Sequence, residues 1–230
     1  TQRQTSSKAT GMMWVDETKG SSPEGLAEVE RAHALGLRAI YFSGDGFARN
    51  GFAWGMDDTR MDPLWAKLEE LGIVMCVELS PGPTYDKAGY VANLRALAAV
   101  MDRFPGIQVH LAMGPPVQLF TTNGKWDFPD EILAIYRRDQ LAMEVMFPIS
   151  WGGQWDYPYP EAQILIRGMR DQFGTENLMW GSDMPNVERY CTYRQSLDFV
   201  RRYCTFLSAS EMDAILGNNA ARIYGIGVVA

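Results

Sequence analysis

Three carboxylates at the ends of apolar runs carry the chemistry that this sequence can do. Asn177-Leu178-Met179-Trp180-Gly181-Ser182-Asp183-Met184-Pro185 reads as a short buried strand that delivers Asp183 at its C-terminal tip and is stopped by a proline. One ionisable group at the tip of an apolar strand suits the catalytic face of an α/β barrel, where Asp183 would act as a general base towards water or substrate. A helix N-cap or an arginine partner would use the same letters. Glu78, in Val77-Glu78-Leu79, ends a second apolar run. A carboxylate there is costly to desolvate unless it has a partner or a role, a salt bridge to arginine being the structural alternative. Strand periodicity puts Glu78, Cys76 and Val74 on one face. Glu144, in Leu141-Ala142-Met143-Glu144-Val145, is a third strand acid that points inward in this reading. Three carboxylates meeting around one hollow repel one another, which raises at least one pKa or attracts a cation.

Two loops supply a wall for that hollow. Residues 45–60 and 150–160 are rich in glycine and aromatic residues. Trp54, Trp151 and Trp155 would line a pocket for a flat or apolar small molecule, and Arg49 or Arg60 would bind a substrate carboxylate through its planar fork. Asn186 and Arg189 follow Asp183 closely enough to shape the same pocket. A subunit interface draws on the same residue types, so a homo-oligomer is compatible with these loops. Cys191 has no adjacent histidine base and makes a poor nucleophile.

These groups must be held by a repeating scaffold. Apolar runs at residues 9–15, 38–42, 73–79, 107–113, 141–147 and 177–182 read as short strands. Their near-continuous hydrophobicity argues for burial on both faces in parallel βα units. The helices between them are well punctuated. Ser22-Pro23-Glu24 opens one that Gly36 ends, and Asp62-Pro63 opens another that Gly72 ends. Residues 90–103 and 160–173 carry apolar side chains at helical spacing, and Ser208-x-x-Glu211 is a capping box. With no Gly-x-Gly-x-x-Gly after the first strand, a doubly wound dinucleotide fold loses its main signature.

The bulk numbers exclude several classes. The chain has 230 residues, 47% hydrophobic and 21% charged, with a net charge of −7 and no basic cluster. One large α/β domain over residues 1–230 fits that length. Nucleic acid is an unsuitable partner without concentrated Lys and Arg, and no apolar run approaches the ~20 residues that span a bilayer. Three sparsely spaced cysteines, Cys76, Cys191 and Cys204, read as reduced thiols of a cytoplasmic protein.

Asp62-Pro63-Leu64-Trp65, Leu71-Gly72-Ile73-Val74, Phe104-Pro105-Gly106-Ile107, Trp180-Gly181-Ser182-Asp183-Met184-Pro185 and Gly217-Asn218-Asn219-Ala220-Ala221-Arg222 together resemble the amidohydrolase superfamily. The branch is the decarboxylase-like one, and the resemblance covers nearly the whole chain. It implies an α/β fold, a (β/α)8 TIM-type barrel, with the active site at the C-terminal strand ends. It also implies that the six strands correspond to family strands three to eight; the first two are expected to precede Thr1, since six strands alone would leave two exposed edges, an incomplete barrel being the alternative.

Members of the superfamily commonly bind a metal through a His-x-His pair, further strand histidines and a final aspartate. Asp183 matches that aspartate, but Glu78 and Met113 stand where strand histidines are implied, and only His33 and His110 are present. Met113, a soft thioether, is expected to form a hydrophobic wall of the pocket. His110, three residues earlier, is then expected to face the helix layer as a buried structural histidine. No cofactor is expected, the alternative being a divalent cation at Glu78 and Asp183. The resemblance implies an enzyme acting on a small cyclic or aromatic carboxylate, and alone it would imply zinc; the loss of the histidine ligands points instead to metal-free acid–base hydrolysis, with Asp183 as base and Glu78 as its partner. A carboxy-lyase of an aromatic acid and a non-catalytic amidohydrolase-like subunit are the alternatives.

Overall fold

Each of the six apolar runs forms a strand in a computed structural model that describes residues 9–17, 19–79, 86–146 and 156–227. The chain divides into two compact units, residues 1–112 with 221–230, and residues 113–220. No helix among the described residues is long and apolar enough to cross a membrane.

The first unit contains β1 (Met12–Trp14), α1 (Pro23–Ala34), β2 (Ala39–Ser43), the short α2 (Gly46–Arg49), α3 (Asp62–Leu71), β3 (Val74–Glu78), α4 (Lys87–Arg103) and β4 (Val109–Ala112). The strands are parallel and adjacent in the order β1-β2-β3-β4. Helix starts follow the punctuation in the sequence. Ser22 accepts the Gly25 N–H at 3.1 Å with Pro23 in the first turn, and Asp86 accepts the Gly89 N–H at 2.7 Å. Gly72 closes α3 at φ 61°, a left-handed conformation that glycine adopts without a side-chain clash.

Strand register assigns the faces. Trp14 pairs with Tyr41, Tyr41 with Cys76, Cys76 with His110, and Ser43 with Glu78. Laterally paired residues project to the same side, so Tyr41, Cys76, Glu78 and His110 share one face. Ile40, Phe42, Met75, Val77, Val109 and Leu111 take the other face and are buried. Phe42 meets Trp65 of α3 edge-on, with ring centroids 5.3 Å apart, which identifies this second face as the helix layer. Each such side chain contributes about 2 kcal/mol by leaving water.

His110 therefore does not face the helix layer, as counting back from Met113 would place it. Strand β4 ends at Ala112, and Met113 breaks the alternation with φ 67°. His110 is buried, as expected of a structural histidine. Its Nδ1 lies 2.5 Å from the Tyr224 hydroxyl, while Nε2 is buried without a hydrogen-bond partner among the described residues. Burial pushes its pKa down to about 4, so the ring is neutral at ordinary pH.

The second unit begins with α5 (Val117–Phe120) and the two-stranded hairpin β5 (Thr121–Thr122) and β6 (Lys125–Trp126). It continues through α6 (Asp130–Tyr136), β7 (Leu141–Val145), α7 (Pro160–Phe173), β8 (Leu178–Trp180), α8 (Tyr193–Tyr203) and α9 (Ala209–Asp213). A π-helical turn at Ala214–Asn218 leads into α10 (Asn219–Tyr224), whose last residues count with the first unit. β7 and β8 pair in parallel, with Glu144 opposite Met179 and Val145 opposite Trp180.

Asn219, in the Gly-Asn-Asn tail, is buried, and its amide donates to the carbonyls of Thr175 at 2.6 Å and Leu178 at 2.8 Å. Those carbonyls flank the entry to β8, so one side chain ties the C-terminal helix to the strand that leads to Asp183. Asn219→Ala would remove this donor from the Leu178 carbonyl and leave the Thr175 carbonyl with only the Leu178 N–H, at 3.2 Å. The expected loss is about 2 kcal/mol or more, a fall of ~5 °C in melting temperature, checked by thermal denaturation.

Candidate active site

Glu144 and Asp183 come together at the ends of β7 and β8 because the sequence leaves room for one beside the other. Opposite Glu144 stands Met179; Gly181 and Asp183 follow just past the end of β8. A side chain at Gly181 would occupy the place of the Glu144 carboxylate, since a Cβ built there meets Glu144 Oε1 at 1.7 Å. Gly114 makes a similar opening on the other side, where a Cβ would meet the Glu144 carbonyl oxygen at 2.4 Å. The Met113 N–H donates to Glu144 Oε2 at 3.0 Å.

Burial is the main cause that pushes the Glu144 carboxyl above the usual carboxylate range. The Met113 N–H lowers it, and the nearby charge of Asp183 raises it again. The side chain remains partly accessible, so a bound molecule can reach it.

Two residues beside this acid have unusual backbones. Met113 and Asp183 take φ 67° and 50°, left-handed values that non-glycine residues seldom adopt. Such strain, of order 1–3 kcal/mol, persists where the surroundings fix it, and it concentrates at functional sites. Asp183 is anchored on both sides. Its carbonyl accepts the Val187 N–H at 3.1 Å, and its Oδ1 accepts from the Asn186 amide at 3.2 Å. Arg189 in turn donates to Asn186 Oδ1 at 2.5 Å. Among the described residues, Asp183 Oδ2 has no hydrogen-bond partner.

The other residues singled out from sequence sort by unit. Met113 contributes its backbone N–H to Glu144, and its side chain is exposed. Glu78 lies in the first unit and accepts a hydrogen bond from Tyr41, with no arginine partner among the described residues. Arg49 is bound to Ser43 Oγ at 3.1 Å and to Asp45 at 3.3 Å. Arg60 lies over the ring of Trp54, 5.2 Å from its centroid, and near Asp58 at 3.7 Å. Trp54 also contacts Phe47 and Phe52. Trp151 and Trp155 lie outside the described residues. A cavity of about 210 Å³ between β1 and α1 is lined by Met13, Val15, Gly20, Gly25 and Val29, among others, and Glu78 is not part of it.

Sequence reasoning did not single out Tyr41, the glycine openings at Gly114 and Gly181, or Glu17. Glu17 is buried, with Oε1 3.4 Å from the Ser43 N–H, in space left by Gly46. The signal for Gly181 was present, since it sits two residues before Asp183 in the strand motif. The signal for Tyr41 was its parity with Ser43 on an otherwise apolar strand.

The amidohydrolase family profile matches residues 10–226, and the chain belongs to that family. Against curated proteins no match is found. Among solved structures, it is similar to a probable 2-pyrone-4,6-dicarboxylic acid hydrolase from Acinetobacter baumannii with citric acid bound. That match has TM-score 0.64 and 17% identity, over 87% of this chain and 69% of the other. An amidohydrolase from Burkholderia multivorans with bound HEPES gives 0.63 and 21%, over 90% and 71%. The 2,6-dihydroxybenzoate decarboxylase from Rhizobium gives 0.62 and 13%, over 97% and 74%. The fold class is thus the α/β (β/α)8 TIM type, with six of its strands in the described chain.

A divalent metal is common in this family, but the residues described do not fit one. No group of three or more His, Cys, Asp or Glu side chains among them could hold a metal ion. Met113 offers only a thioether, which is unsuited to a hard cation.

Proposed function

We propose that this protein is a hydrolase of small cyclic or aromatic carboxylates that works by paired acid–base catalysis, with Asp183 as base and Glu144 as acid. The observation that carries the reading is a buried carboxyl, Glu144, held above the ordinary carboxylate range beside the carboxylate of Asp183. Burial first, and then the charge of Asp183, favour the protonated form of Glu144, which suits it to donate a proton.

In the proposed reaction, Asp183 Oδ2 takes a proton from water as the water oxygen bonds to the acyl carbon of a lactone. The acyl–oxygen bond then breaks, and the departing ring oxygen takes the proton of Glu144 Oε1. Glu144 Oε2 keeps its hydrogen bond from Met113, which leaves Oε1 as the donor. The products are a carboxylic acid and a hydroxyl, and the proton on Asp183 returns Glu144 to its acidic form through solvent. Glu78 remains a candidate acid of the first unit, with Tyr41 as its partner.

The substrate class is supported by what the similar structures are named for. One is a hydrolase of a pyrone dicarboxylic acid and another a decarboxylase of a dihydroxybenzoate, both flat rings bearing carboxylates. The exposed Arg189 beside Asp183 suits such an anion. The test is to incubate the protein with 2-pyrone-4,6-dicarboxylic acid and with 2,6-dihydroxybenzoate, following ring opening and carbon dioxide release. Ring opening that disappears in Asp183→Asn and Glu144→Gln supports the reading. Carbon dioxide release without ring opening replaces it with a carboxy-lyase, and inertness towards both favours a non-catalytic subunit.

The direction of the Glu144 shift fixes the pH behaviour. Activity should decline as pH rises through the raised pKa, because the donor proton is then lost; Glu144→Gln should be inactive at every pH. Stability has the same sign. A raised folded-state pKa contributes stability that is fully present below the unfolded value of ~4.3 and is lost as pH rises through the folded value. Denaturation midpoints across that window should vary less in Glu144→Gln than in the wild type.

A further inference from the structure

We propose that Asn186 is a positioning residue that keeps Arg189 off Asp183, and that Arg189, so held, receives the carboxylate of the substrate; this rests on the reading of Asp183 as base. The polarity of the Asn186 amide is set from both ends. Its Oδ1 faces the Arg189 guanidinium at 2.5 Å, and its Nδ2 faces Asp183 Oδ1 at 3.2 Å. A reversed amide would turn its carbonyl towards a carboxylate and its NH₂ towards a cation, so only one orientation satisfies both neighbours.

The two charges have opposite sign and lie within one short 3₁₀ segment, Asn186–Arg189, and its approach. Without the amide between them they would attract directly, more strongly beside a partly buried site than in open water. That contact would disable both groups. The base would carry a cation against the oxygen that must take a proton, and the guanidinium would have its fork filled by an internal carboxylate. Asparagine prevents this with a neutral spacer that donates to the base and accepts from the cation. Among the described residues Arg189 has no side-chain hydrogen bond other than that to Asn186. It is exposed, with the rest of its donors available for a planar carboxylate.

The test uses benzoate as probe and the full chain, with affinity read by NMR titration and folding checked by circular dichroism. Wild type should bind benzoate, and Arg189→Ala should bind about tenfold more weakly, the loss of one charge-assisted pair. Asn186→Ala should weaken binding to a similar degree, because Arg189 turns to Asp183. The double variant Asn186→Ala with Asp183→Asn should recover the affinity of Asp183→Asn alone, since the internal competitor is gone. Restored binding of that kind is not expected if Asn186 merely supports the loop. A double variant as weak as Asn186→Ala, an Asn186→Ala protein that binds like wild type, or a wild type that does not bind benzoate overturns the proposal. Binding is read without turnover, so these outcomes are separate from the activity losses that test the acid–base reading.

Discussion

Replacing Gly181 by alanine is expected to abolish turnover in a chain that still folds. The new Cβ would lie 1.7 Å from Glu144 Oε1, 2.5 Å from Cδ and 2.8 Å from Cγ, which no pair of real atoms tolerates. Gly181 itself has an ordinary backbone, since it is not among the residues with positive φ. The strand can therefore accept alanine, and the strain passes to the flexible end of Glu144. Swung away from Gly181, the carboxyl loses both its burial and the Met113 N–H. A displaced general acid costs roughly 10²–10⁴ in rate, so a fall in kcat of about a thousandfold is expected, with near-native circular dichroism. Shortening the acid by one methylene in Gly181→Ala with Glu144→Asp should relieve the overlap and recover part of the loss. Full activity in Gly181→Ala would remove Glu144 from the chemistry.

Asp183→Asn is the second large effect. The replacement keeps the shape, and its amide oxygen can still accept from Asn186, so the turn at φ 50° should persist. Basicity is what disappears. kcat should fall by about 10³ with little change in KM, the signature of a group needed in the transition state more than in binding. Steady-state kinetics on the substrate that passes the ring-opening test supply the measurement. A change confined to KM would make Asp183 a binding group.

The scaffold was largely legible from sequence because it rests on local signals. Ser22-Pro23, Asp62-Pro63 with Gly72 as the stop, and the capping box Ser208-x-x-Glu211 are such signals, and their helices begin at or just after those residues. Helix α8 was harder to see. Its capping box uses Thr192 and Gln195 after a polar, aromatic stretch that resembles a loop. The hairpin at Thr121–Trp126 has strands of two residues, too short to show a period.

The candidate site was legible in its acids and not in their surroundings. Asp183 and Glu144 announce themselves as charges at the ends of apolar strands. What makes them neighbours is an absence, the missing side chain at Gly181, together with a lateral register that a single strand does not encode. His110 shows the limit of counting by two. The alternation is sound within β4 but not through Met113, where the backbone turns left-handed. Strand register with Cys76 settles what parity along one chain could not.

The most direct measurement is the titration of the Glu144 side-chain carboxyl by carbon-13 NMR, assigned with Glu144→Gln and repeated in Asp183→Asn. The expected result is a midpoint clearly above the ~4.3 of an unperturbed glutamate, shifting downward when the Asp183 charge is removed. A midpoint at the ordinary value, unmoved by Asp183→Asn, would contradict the pairing of a buried acid with a neighbouring base.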